Sequence, residues 1–254
     1  MILDLFKLDG KVALVTGAGQ GLGQGMAIAF AEAGADIAGL DRIGCEATCE
    51  SVHALGRRYH ESVVDLREAS VADLNIVVDR IVKEFGHIDI LVNNAGIIRR
   101  TPAIDFSEID WDDVMQINLK AAFFLSQAVG RVMISQQSGK IINIASVLSF
   151  QGGINVPSYT AAKSGLAGIT RALANEWAKH GINVNAIAPG YMATDNTTAL
   201  RADPNRSKSI LERIPAGRWG MPDDLKGAAV FLASSASDYI HGAVLPVDGG
   251  WLSR

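Results

Sequence analysis

A single α/β domain on a doubly wound, seven-stranded parallel sheet is what the sequence predicts, and three observations carry the prediction. Short β-branched runs alternate with longer amphipathic segments along the 254 residues. The runs are apolar on both faces, and no repeat, low-complexity tract or linker interrupts the rhythm. Strands covered on both sides and separated by helices belong to parallel sheets, and right-handed crossovers between them lead to a Rossmann-type arrangement.

The elements follow in order. KVALVT (11–16) supplies the first strand, and a glycine-rich turn then opens a helix over 21–33. ADIAGLD (35–41) and YHESVVD (59–65) give the second and third strands, followed by helices over 44–55 and 68–85. IDILVNN (88–94) precedes a long helix over 108–137, and GKIINIAS (139–146) one over 158–180. INVNAIAP (182–189) is the sixth strand; a helix over 222–235 leads to the seventh, AVLPVDG (243–249). Between 191 and 221 runs a polar stretch rich in Thr, Asn, Arg and Pro, longer than a simple connection requires. It is expected to form a substrate lid over the carboxyl ends of the strands, within one domain spanning 1–254. The helix over 110–134 is apolar around most of its circumference between Val114 and Leu125, so a partner subunit is the expected second cover.

Composition narrows the function classes. The net charge is −4 and the basic residues are scattered, which leaves no concentrated positive surface for nucleic acid. Asp4, Lys7 and Asp9 break up any secretory leader, no run approaches membrane-spanning length, and only two cysteines are present, so a reducing, cytoplasmic location is expected. Cys45, Cys49 and His53 form C-x3-C-x3-H. Three side chains spread over two turns rarely converge on one ion, so no metal site is expected.

The candidate chemistry begins at the first strand-to-helix junction, where Gly17, Gly21 and Gly23 allow close backbone approach and leave helix N-terminal N–H groups free for a pyrophosphate. Asp41 ends the second strand about twenty residues further on, where a carboxylate accepts from ribose hydroxyls and repels a 2′-phosphate. NAD is therefore expected over NADP, helped by the non-basic Gln20, although Arg42 could serve a phosphate if Asp41 turned away. Asp65 could reach an adenine edge or cap a helix.

Downstream, Tyr159 and Lys163 stand four apart at the start of a helix, on one face. A phenol of pKa about 10 needs roughly 4 kcal/mol of differential stabilisation to act as a base near neutrality, which an ammonium and a positive nicotinamide ring can supply. Ser146, at the tip of the fifth strand, can hydrogen-bond the reacting oxygen. Asn118 is either a satisfied buried amide or the holder of a water that connects Lys163 to solvent.

Together TGAGQGLG (16–23), NNAG (93–96), Asn118, Ser146, YTAAK (159–163), PG (189–190) and DGG (248–250) resemble the short-chain dehydrogenase/reductase family over essentially the whole chain. The resemblance implies Tyr159 as acid/base, Lys163 lowering its pKa and binding the nicotinamide ribose, Ser146 orienting the carbonyl and Asn118 supporting a proton relay. It also implies cofactor contacts from Leu22, Leu66, Asn93, Ala95 and Gly96, with Pro189, Gly190, Met192 and Thr194 beside the nicotinamide, and a homotetramer paired through the long helices.

Within the family, FGHIDILVNNAGIIRR and NEWAKHGINVNAIAPGYMATDNT are most similar to dehydrogenases of small sugar acids. Such relatives carry an arginine directly before a Thr-Pro here, which implies Arg100 as ligand of the substrate carboxylate. Arg99 would then be solvated or paired with an acidic neighbour, unless both arginines are plain surface charges. The distant alternative is a non-catalytic nucleotide sensor.

Overall fold

The computed structural model describes residues 1–254. Its seven strands are β1 (Val12–Thr16), β2 (Asp36–Asp41), β3 (Tyr59–Val63), β4 (Ile90–Asn93), β5 (Gly139–Ile144), β6 (Ile182–Pro189) and β7 (Val244–Val247). All pair in parallel, in the order β3-β2-β1-β4-β5-β6-β7. The helices are α1 (Gly21–Glu32), α2 (Glu46–Ala54), α3 (Val71–Phe85), α4 (Glu108–Met115), α5 (Ala122–Gln136), α6 (Pro157–Trp177), α7 (Thr198–Ala202), α8 (Pro204–Arg213) and α9 (Asp223–Ala233).

Burial on two faces explains why β1 reads VALVT without a polar alternation. Val12 and Leu14 enter a core with α3, α5 and α6, through Val77, Val129 and Leu173 among others. Ala13 and Val15 enter the opposite core, with Phe30 of α1 and Leu232 of α9. Strand order reverses between β1 and β4, so crossovers leave to opposite faces there and open a crevice at the carboxyl ends.

Three segments differ from the sequence expectation. Helix 68–85 begins only at Val71, because Ser70 and Asp73 form a reciprocal capping box. Asp65 is thus no helix cap; its carboxylate accepts from Arg67 N at 2.9 Å in a turn. The long helix over 108–137 is broken by a π turn at Gln116–Ala121, a feature that apolar periodicity does not encode. The stretch 191–221 contains two helices, with Ile210 and Ile214 buried against Val147 and Trp251. There Tyr191 stands edge-on to Trp219, ring centroids 5.7 Å apart. Ahead of β1, Ile2–Phe6 forms a 3-10 turn.

Candidate active site

At the strand-order reversal lies a cleft of about 620 Å³. Gly17, Gln20, Gly21 and Leu22 border one end. Gly17 has φ +67°, and a Cβ there would come within 2.8 Å of Asn94 Nδ2. Gln20 precedes α1 without a side-chain cap bond, and the first turn carries no acid, so the leading N–H groups are open to an anion. Gly23 does not border the cleft: a Cβ there would collide with the Gly17 carbonyl, so this glycine serves the close packing of α1 on the turn. A loop that excludes side chains, an uncapped helix start and an elongated cleft fit a dinucleotide.

Further along lie Asp41 and Arg42, then Asp65 and Leu66. Asp41 Oδ2 accepts from Gly19 N at 2.9 Å and Oδ1 from Arg42 N at 2.7 Å, which fixes the carboxylate against the glycine turn. Ala95, Gly96, Pro189, Gly190, Met192 and Thr194 border the cleft as expected from the sequence. Asn93 does not. It is the last residue of β4 and its side chain is turned into the core under α5, where Nδ2 donates to Ser126 Oγ and Asn143 Oδ1, both at 2.8 Å. The neighbouring Asn94 takes the place at the cleft, donating to Thr16 O at 2.8 Å.

Tyr159 and Lys163 project from the first two turns of α6, with Ser146 just beyond β5. All three border the cleft. Lys163 is 3% exposed, its Nζ donates to Ile144 O at 2.6 Å, and it lies 5.6 Å from the centre of the Tyr159 ring. Burial lowers its ammonium to about 8. The Tyr159 phenol is pushed up by burial, with Ser146 and the Arg100 charge pulling the other way. The chain alone therefore leaves the phenol above its ordinary value, because desolvation of the anion outweighs both groups.

Asn118 sits in the π turn behind the cleft, 1% exposed, with both ends of its amide bonded to Ile97: Oδ1 accepts from the N–H and Nδ2 donates to the carbonyl, each at 2.9 Å. Of the two readings, its side chain fits the satisfied amide, and it pins the chain that leads to the arginines.

Arg99 and Arg100 have different partners. Arg99 borders the cleft and is paired, Nε to Asp110 Oδ1 at 3.0 Å and Nη2 to Asp113 Oδ2 at 3.4 Å. Arg100, expected from the sequence to face the substrate, does not border the cleft, although its charge acts on the Tyr159 phenol. Its Nη2 donates to Asn196 O at 2.9 Å and it makes no ion pair, although partial burial lowers its pKa. The pairing of Arg99 with an acidic neighbour is one of the alternatives the sequence offers, and α4 supplies the two carboxylates; Asn94 and Asn196 are residues that the sequence does not single out. Elsewhere, Cys49 Sγ lies 3.7 Å from His53 Nδ1, and no group of three or more His, Cys, Asp or Glu is placed to hold a metal. No helix is long and apolar enough to cross a membrane.

Comparison with known proteins now bears on this geometry. A family model described as enoyl-(acyl carrier protein) reductase matches residues 17–252. The chain is 63% identical over 255 residues to 2-dehydro-3-deoxy-D-gluconate 5-dehydrogenase of Escherichia coli (strain K12), covering 100% of both chains. It is 43% identical to gluconate 5-dehydrogenase of Gluconobacter oxydans (strain 621H), over 97% of this chain and 96% of that one. Among solved structures, one from Agrobacterium tumefaciens with bound NADP, provisionally described as a 2-deoxy-D-gluconate 3-dehydrogenase, superposes with a TM-score of 0.92. That protein is 54% identical, over 99% of this chain and 100% of its own.

Proposed function

The chain belongs to the short-chain dehydrogenase/reductase family, and from that premise we propose that it is an oxidoreductase of a six-carbon deoxy sugar acid, acting as a 2-dehydro-3-deoxy-D-gluconate 5-dehydrogenase. The observation that carries this reading is Tyr159 and Lys163 on the wall of a cleft that starts at an uncapped helix, with the charge of Arg100, which has no acidic partner, acting on the phenol. The nicotinamide dinucleotide, when bound, supplies the hydride acceptor or donor.

The chain's own residues do the rest. In the oxidative direction the Tyr159 phenolate oxygen takes the hydroxyl proton of the substrate, and in reduction the phenol returns it. Ser146 holds the reacting oxygen by a hydrogen bond. Lys163 places a cation beside the phenol and, leaving the Ile144 carbonyl, can reach a ribose hydroxyl. Asn118 keeps Ile97, and through it the segment to Arg100, in register. Arg100 grips the substrate carboxylate, since a guanidinium with no acidic partner offers donors a carboxylate can take bidentately. Residues 191–221 act as the lid, tied to the body by Arg100 to Asn196 O and by Arg213 Nη2 to Gln151 Oε1 at 3.0 Å.

NAD is the preferred dinucleotide in this reading, because the fixed Asp41 carboxylate opposes a 2′-phosphate, while Arg42 at the rim leaves NADP usable. Free thiols at Cys45 and Cys49 agree with a reducing cytoplasm. A homotetramer would cover the outer face of α4 and α5, where Phe123, Phe124, Leu119 and Ile169 line an open depression. Light scattering should return the mass of four copies; a monomer would reject that assembly.

The function is tested by turning over 2-dehydro-3-deoxy-D-gluconate, gluconate and neutral polyols with NAD and with NADP, following the absorbance of the reduced nicotinamide. The first acid with NAD should give the highest kcat/KM. Gluconate ahead of it would select the gluconate 5-dehydrogenase reading, and binding without consumption would indicate a sensor. Arg100→Ala should raise KM for the acid roughly 10- to 100-fold, the loss of a charge-assisted hydrogen bond, with little effect on a neutral substrate. An equal effect on both would remove the carboxylate role.

A further inference from the structure

The glycine turn at the end of the cleft is held from outside along its whole length. Asn94 Nδ2 donates to Thr16 O at 2.8 Å and to Gly17 O at 3.3 Å. Thr48 Oγ1 donates to Ala18 O at 2.7 Å, Gln24 Nε2 to Gly19 O at 3.4 Å, and Gln24 N to Gln20 O at 3.3 Å. Each carbonyl from Thr16 to Gln20 is thereby committed to a donor of the protein, whereas the N–H groups of Gln20, Gly21 and Leu22 have no acceptor within the chain. A phosphate arriving here meets donors and no free carbonyl oxygen.

Thr48 does not border the cleft. It lies in the first turn of α2, 0% exposed, where the nearest partner for a threonine hydroxyl is a carbonyl one turn back in its own chain segment. Instead it reaches a carbonyl thirty positions away, and its oxygen accepts from Gln24 Nε2 at 3.0 Å, which leaves the hydroxyl hydrogen for Ala18 O. The peptide it touches is the one whose N–H, that of Gly19, donates to Asp41 Oδ2 at 2.9 Å. The Ala18–Gly19 peptide is thus gripped at both ends, its carbonyl by α2 and its N–H by the end of β2. With glycine at 17, 19 and 21 the backbone itself offers little resistance to a flip, so the orientation depends on these two side chains.

We propose that Thr48 is a positioning residue for the dinucleotide: from behind the cleft wall it fixes the Ala18–Gly19 peptide, and through it the turn whose free N–H groups receive the pyrophosphate. The inference rests on the reading of this end of the cleft as a dinucleotide site. Without the hydroxyl, Ala18 O is a buried acceptor with no donor, and turning the peptide over to find one takes the Gly19 N–H off Asp41. The pyrophosphate turn and the carboxylate assigned to the ribose are then loosened together. A turn that is no longer preorganised has to be ordered on binding, which weakens affinity without touching the reacting groups.

The test titrates NADH by its fluorescence into the unsubstituted protein, Thr48→Val and Thr48→Ser, with ADP-ribose and nicotinamide mononucleotide as competing ligands. Valine keeps the shape of the side chain and removes the hydroxyl, so NADH and ADP-ribose should each bind about tenfold more weakly, as for a buried carbonyl left without its donor. Nicotinamide mononucleotide lacks the ADP half and should keep its constant within about twofold, as should kcat at saturating NAD and KM for the sugar acid. Thr48→Ser restores the hydroxyl and should bind NADH within about threefold of the unsubstituted protein. Gln24→Met removes the donor to Thr48 from a partly exposed position and should weaken NADH about threefold. It carries the test if Thr48→Val does not fold, and an unchanged constant there counts equally against the proposal. An unchanged NADH constant in Thr48→Val, an equal shift for nicotinamide mononucleotide, or Thr48→Ser as weak as Thr48→Val overturns the positioning role and leaves the dinucleotide reading standing. Failure of the unsubstituted protein to bind NADH removes that reading and the proposal with it.

Discussion

Tyr159→Phe is expected to lower kcat by roughly 10²- to 10⁴-fold, the range that a positioned acid/base contributes, while leaving dinucleotide affinity within about twofold. The phenylalanine keeps the ring and its packing at the head of α6 and removes only the oxygen that accepts and returns the proton. No other side chain replaces it: Ser146 is a hydroxyl whose oxygen already accepts from Leu148 N at 3.1 Å, and Lys163 is held on the Ile144 carbonyl. Titration of the reduced dinucleotide's fluorescence supplies the binding arm. Turnover within tenfold of the unsubstituted enzyme would show that the proton moves by another route.

Lys163→Met should give the other large effect, a loss of at least about 10²-fold in kcat/KM together with a gain in stability. The ammonium is nearly fully buried and its pKa falls from 10.5 to about 8 by desolvation. In the unfolded chain the lysine keeps its proton up to about 10.5. Between about pH 8 and 10.5 the unfolded state therefore binds more protons than the folded state, and stability rises with pH across that window. Below about pH 8 both states are charged and the burial penalty is fully present, of order 3 kcal/mol at most. Methionine escapes it but leaves the Ile144 carbonyl without its donor, which returns about 1 to 2 kcal/mol. The net expectation in the cofactor-free protein at pH 7 is a melting temperature higher by a few degrees, with the difference shrinking as pH rises and reversing near pH 10, where only the lost hydrogen bond remains. A variant that melts lower at pH 7 would mean that Lys163 stabilises the fold, contrary to the burial argument. The functional reason to retain such a residue is that the cost is relieved where it is useful, beside an ionised phenol.

The parts of the site that were legible in the sequence are those whose partners are close along the chain or fixed by a period. Tyr159 and Lys163 meet because they are four apart on one helix. Gly17 and Gly21 lie where the chain passes from strand to helix with positive φ, a conformation that few other residues adopt. The same kind of reasoning failed by one residue at the end of β4, where Asn93 and Asn94 are chemically identical and only the direction in which the last strand residue points decides which reaches the cleft. It failed at the π turn as well, because residues Gln116–Ala121 carry no local pattern that separates a π turn from an α-helix, and the bonds Asn118 makes from it reach Ile97, twenty-one positions away.

What the sequence by itself determined is the sheet, its two-sided burial, the glycine turn and the acid/base pair, since apolar periodicity and short spacings are local properties that the chain carries wherever it folds. What only the tertiary structure decided is the state of the charges. Only the resemblance to relatives with an arginine before Thr-Pro separates Arg99 from Arg100 in the sequence, and it names no partner for either; Arg99 is neutralised by carboxylates of α4, 11 and 14 residues away, and Arg100 is left to a carbonyl 96 residues away. Nor does YTAAK tell that Lys163 is buried deeply enough to lose its proton near pH 8. Desolvation and pairing act through space, so the value of a charge is fixed only when distant segments close around it.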